Sequence, residues 1–113
     1  MKYSDVINEV LSILEGHNEK FVTAYQICQQ IELTYPDLWA RLIAAYPSVD
    51  PVVAMGEGTG SNYSPASLIA NALKHYSNLN KHIIQEWFSC EGVTFSGIAP
   101  GFTGNFVGIW AFR

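Results

Sequence analysis

Charge is scarce in this chain. Only 14% of its 113 residues are Asp, Glu, Lys or Arg, and six cations against ten anions leave a formal charge of −4. The cations, Lys2, Lys20, Arg41, Lys74, Lys81 and Arg113, stand singly. That distribution argues against a broad basic footprint for nucleic acid. Cysteine is scarcer still, with Cys28 and Cys90 alone, on segments that read as a helix and a strand. Two such thiols are expected as small core residues and not as a bridge. His17, His75 and His82 show no Cys-x-x-Cys or His-x-x-x-His spacing, so no metal is expected. No apolar run is long enough to span a bilayer, and Met1-Lys2-Tyr3-Ser4-Asp5 opens no signal peptide. The expected setting is reducing and cytoplasmic, without a membrane partner.

Catalytic patterns are missing too. Cys28 falls on a buried helical stripe, which makes it inert, and no nucleophile signature surrounds Cys90. Glu86 and Glu91 are a conceivable carboxylate pair, but nothing in the sequence fixes their separation. Neither enzymatic activity nor a cofactor is expected.

Hydrophobic residues are plentiful, at 49%, with three Trp, six Tyr and six Phe. Such a chain is globular, and its length suits one domain with one core. Apolar surface will be hard to hide completely, so a self-associating or partner-binding face is expected.

Four helices can be read in order. The first spans 5–15, with Val6, Ile7, Val10, Leu11 and Leu14 on one stripe, Ser4 as N-cap and Gly16 as a left-handed C′ residue. Phe21-Val22 is short and extended and leads into Thr23-Ala24-Tyr25-Gln26, a capping box with Val22 and Ile27 as a hydrophobic staple. The second helix then covers 24–32 and buries Ala24, Ile27, Cys28 and Ile31. Pro36 opens a third, with Leu38, Trp39, Leu42, Ile43 and Tyr46 as its stripe and Pro47 as its end. Residues 48–55 read as an extended crossing segment.

Next comes Gly56-Glu57-Gly58-Thr59-Gly60-Ser61-Asn62-Tyr63-Ser64-Pro65, the most distinctive stretch of the chain. Ser64 is placed to cap, and Pro65 to open, a fourth helix over 65–76 that buries Leu68, Ile69, Ala72, Leu73 and Tyr76. Its opposite face carries Ser67, Ala70, Asn71 and Lys74. A glycine-rich turn leading into a helix N-terminus favours anions, which makes Gly56, Gly58, Gly60 and Ser64 candidate anion ligands. The stretch lacks the Gly-Lys-Ser/Thr ending of a phosphate loop and contains Glu57. A plain turn into the helix explains it better.

Beyond Lys81 the apolar period changes from helical to alternating. Strands are expected over 83–90, 93–96 and 106–112, with a tight turn at Glu91-Gly92 and a long tip over 97–105 that holds Pro100 and Phe102. The fold class is therefore α+β: four helices followed by a C-terminal antiparallel β-meander. This order of elements and caps resembles a winged helix with an inserted helix before the recognition-position helix.

The resemblance implies that the fourth helix faces a partner. Read as a DNA binder, it would address bases with Asn71 and Lys74, and the backbone with Ser61, Asn62, Tyr63 and Ser67. The presumed wing has no Lys or Arg, and its Pro100 and Phe102 suit protein contact better. Trp87, Phe88, Phe95, Phe106, Trp110 and Phe112 add more aromatic surface than one face of a small sheet needs. Protein interaction or self-association as a homo-oligomer is therefore the first expectation. DNA binding is second, and an anion or small ligand at the glycine loop third.

Overall fold

A computed structural model of the chain describes residues 1–48, 51–56, 64–89, 91 and 106–113. Seven elements organise it. They are α1 (Ile7–Gly16), β1 (Val22–Thr23), α2 (Ala24–Thr34), α3 (Pro36–Ala45), α4 (Pro65–Ser77), β2 (Ile83–Ser89) and β3 (Phe106–Phe112). Short 3-10 turns lie at Tyr3–Asp5 and Pro51–Val53. The architecture is mixed helix and sheet.

The three strands form one antiparallel sheet in the order β1-β3-β2. The segment 93–96, expected between the two long strands, lies outside the described residues. The expected meander is nonetheless corrected, because β2 pairs directly with β3 along its whole length, from Ile83↔Phe112 to Ser89↔Phe106. Among the described residues the other partner of β3 is β1, where Val22 pairs with Trp110 and Thr23 with Ile109. A two-residue strand is too short to show a period, so only its distant partner reveals it.

Helix starts follow local chemistry. The Thr23 hydroxyl accepts from the Gln26 N–H at 3.1 Å, and Gln26 Oε1 accepts from the Thr23 N–H at 2.7 Å. The capping box therefore closes as its sequence implies. Ser64 caps α4 by accepting the Ser67 N–H at 3.2 Å. The first helix starts differently: Tyr3–Asp5 forms its own 3-10 turn and Val6, not Ser4, is the N-cap of α1. Gly16 belongs to the helix, and the left-handed backbone falls on Glu19, at φ 65°. The Glu19 N–H donates to the Phe112 carbonyl at 3.1 Å, a tie to the sheet that holds this conformation.

The helices share one core with the inner face of the sheet. Leu14, Ile27, Ile31, Leu42, Leu68, Ile69 and Leu73 are fully buried there, alongside Val22, Ile83 and Trp110. Burying each such side chain contributes about 1.5–3 kcal/mol. Ile43 is exposed, so α3 buries Leu38, Trp39 and Leu42 only. Residues 48–55 are not simply extended: within them the Pro51–Val53 turn tucks Val53 and Met55 inside. No helix among the described residues is long and apolar enough to cross a membrane.

Candidate functional site

The alternation of β2 and β3 sorts their side chains between two faces. Ile83, Gln85, Trp87 and Ser89 oppose Phe112, Trp110, Gly108 and Phe106 on the face that meets the helices. The helices cover only the first half of that face. Ile83 and Trp110 are buried, whereas Trp87 and Phe106 at the far end are 63% and 62% exposed. Phe88, on the other face, is 64% exposed. Three large aromatic side chains thus stand exposed at one end of a two-stranded ribbon, Trp87 and Phe106 on one face and Phe88 on the other, where register joins Trp87 to Gly108, Phe88 to Val107 and Ser89 to Phe106.

The opposite end of the ribbon is polar. There the Arg113 N–H donates to the His82 carbonyl at 2.8 Å, and His82 Nδ1 lies 2.7 Å from the Arg113 carbonyl. The His82 ring stacks on Phe112, with centroids 5.7 Å apart. Lys81 adjoins this end, so two cations lie about 20 Å along the ribbon from the aromatic cluster. Beside it, a trough of about 390 Å³ is lined by Glu19, Phe21, Ile84, Glu86, Ala111 and Arg113.

On α4 the anticipated face is partly engaged by the protein itself. The Ser64 hydroxyl donates to the Ser67 hydroxyl at 3.0 Å while capping the helix. The Ala66 N–H donates to the Met55 carbonyl at 3.2 Å, and the Leu68 N–H to the Ser64 carbonyl at 2.9 Å. With Pro65 lacking an N–H, every first-turn amide of α4 already has a protein acceptor. An anion arriving there would have to displace one of them. Gly56 sits at φ 148°, a conformation that favours glycine, and its N–H donates to the Val53 carbonyl at 2.9 Å. Asn71 is half-buried and Lys74 exposed on the same helix. Gly58, Gly60, Ser61, Asn62, Tyr63 and Phe102 lie outside the described residues.

Two other groups are accounted for by packing. Cys28 is fully buried, and burial pushes its thiol pKa up, so the sulfur stays neutral and unreactive. His75 rests between aromatic rings, 5.5 Å from Tyr3 and 5.1 Å from Tyr76. Among the described residues no group of three His, Cys, Asp or Glu side chains could hold a metal ion.

The sequence had singled out Trp87, Phe88 and Phe106 only as part of an aromatic excess. Which of the aromatics face water depends on where the helices stop covering the sheet, and no local pattern encodes that. Trp110, equally aromatic and in the same strand as Phe106, is 3% exposed. Compared with protein-family models, curated proteins and solved structures, the chain matches none.

Proposed function

We propose that this chain is a non-catalytic binding domain of winged-helix-like architecture that engages another protein chain, a partner or a second copy, through the aromatic end of the β2–β3 ribbon. The observation that carries the reading is the exposure of Trp87, Phe88 and Phe106 together at that end. Aromatic residues are enriched at protein interfaces, with Trp among the usual hot-spot residues, and leaving them in water is costly. The low charge of the chain favours a contact driven by apolar burial.

A second reading, DNA binding through α4, is supported by the strand order β1-β3-β2 with α4 leading directly into β2. The same helix weakens it, since Lys74 is the one Lys or Arg on α4 and the Ser67 hydroxyl is paired with Ser64. Protein binding is therefore the stronger reading.

The test is a Trp87→Ser/Phe106→Ser double variant. Sedimentation over a wide concentration range and proximity labelling in cells should show self-association or neighbour capture reduced at least tenfold. A double variant with unchanged assembly and unchanged neighbours removes the reading. A DNA-binding role instead predicts salt-sensitive duplex binding that falls on Lys74→Ala.

A further inference from the structure

We infer that the trough on the outer face of the sheet is a binding site for a small organic cation, an amine or guanidine carried on an apolar body, with Glu86 as its counter-charge. The site is separate from the aromatic end of the ribbon and does not depend on the protein-binding reading.

The trough follows from strand order and side-chain size. β3 lies between β1 and β2, and Ala111 of β3 pairs with Ile84 of β2. The register that joins Val22 to Trp110 carries on to set Phe21 beside Ala111 on the opposite flank. All three side chains fall on the face turned away from the helices, since Ile83 and Trp110 occupy the face that meets them. A methyl group between a phenyl ring and a branched chain leaves a channel, with Ala111 as its floor. Phe21 is 45% exposed, so its ring is open to an incoming molecule. The channel holds about 390 Å³, within the ordinary span of small-molecule clefts, about 300–1,000 Å³. Its wall consists wholly of described residues: Glu19, Phe21, Ile84, Glu86, Ala111 and Arg113.

Charge is spread unevenly along this wall. Glu86 stands two residues along β2 from Ile84, about 7 Å away, at one end of the channel. Glu19 lies with Arg113 at the other end, held there by its N–H bond to the Phe112 carbonyl. Among the described residues no ion pair engages any of the three side chains. Two carboxylates and one guanidinium leave one net negative charge, and the opposite charges at the Arg113 end offset each other. Glu86 is the charge left without a counterpart.

The arrangement selects its ligand. A positive group belongs beside Glu86, and an apolar body over Ala111, against Ile84 and the Phe21 ring. An exposed charge pair contributes little alone, so the apolar floor is needed as well. The chain's net charge of −4 favours the approach of a cation.

The probe is phenethylammonium, beside its neutral counterpart phenethyl alcohol, each titrated at millimolar concentration while amide shifts are read by NMR. The amine should give saturable shifts at Ile84, Glu86 and Ala111. The alcohol should bind about fivefold more weakly, the worth of one exposed charge pair. Glu86→Gln should bring the two probes to equal affinity. Ala111→Leu should fill the channel and abolish both responses. If that variant does not fold, the Glu86→Gln comparison decides, because Glu86 is exposed and its loss leaves the core intact. Equal affinity of the wild type for both probes, or shifts that never saturate, overturns the inference. Shifts confined to Trp87, Phe88 and Phe106 also overturn it, because the amine is then held at the aromatic end.

Discussion

The indole of Trp110 lies across Gly108, so close that a Cβ built on the glycine would meet Trp110 Cη2 at 2.7 Å and Cζ2 at 3.1 Å. Trp110 is 3% exposed and pairs with Val22 on one side and Gln85 on the other. It therefore fixes all three strands to the helical core, and the missing side chain at Gly108 makes room for it. Among the described residues the buried indole Nε1–H has no acceptor, so the ring itself is seated by packing. Gly108→Ala should push the ring off its seat and cost about 1–3 kcal/mol. Chemical denaturation checks this: an alanine variant as stable as the wild type would mean that the ring can move aside freely.

Thr23 and Gln26 act as a unit at the start of α2, each side chain accepting the other's backbone N–H. Thr23→Ala should cost ~1 kcal/mol. Gln26→Ala alone should cost less, because Gln26 is exposed and water can replace it. The two losses should not add, since removing either partner already breaks the box. Strictly additive losses in a double-mutant cycle would show that the two caps work separately.

What the sequence made legible was local. Thr23 with Gln26, Ser64 with Pro65, and the apolar stripe of each helix are short-range rules, and α2 and α4 start where those rules put them. The alternating pattern of 106–112 likewise named β3 and its two faces. Pairing was not legible, because β1 meets β3 across nearly ninety residues of chain and a Val-Thr pair carries no mark of its partner. Gly16 misled for a similar reason. A glycine after an apolar stripe reads as a helix stop, yet the tie between Glu19 and Phe112 sets the turn three residues later. Nor did composition separate the aromatics of the candidate site from those of the core. Trp110 and Phe106 differ only in how far the helices reach along the sheet.

Trp87, Phe88 and Phe106 should matter little to folding if their work is binding. Each is more than three-fifths exposed. Replacing any one by serine should therefore shift stability by no more than about 0.5 kcal/mol, the usual range for surface positions. Trp110→Ser, by contrast, should cost about 3–5 kcal/mol, as large truncations in a core do. Thermal melts of the four variants separate the cases. A large loss at Trp87 or Phe106 would mean that these side chains are covered within the folded chain and would remove the basis for an aromatic interface.

Cys28 offers a pH-dependent signature of the core. Its thiol pKa is raised from an ordinary 9.0 because complete burial disfavours the thiolate, with no opposing partner. In the unfolded chain the thiol ionises at its ordinary value; in the folded chain it stays protonated. Above pH 9.0 the unfolded state therefore holds fewer protons, and stability falls as pH rises. The stabilising contribution is fully present below that value and is lost at up to about 1.4 kcal/mol per pH unit above it. Tyrosines and lysines titrate in the same range, so the measurement is a difference. In a Cys90→Ser background, denaturation of the Cys28 and Cys28→Ala proteins is compared from pH 7 to 10.5. The stability gap between them should stay constant up to about pH 9 and then shift against the cysteine protein, and alkylation of Cys28 should proceed only at the rate of opening. A gap that does not change with pH, or rapid native-state alkylation, would place the thiol in contact with water and break the link between Cys28 and the helical core.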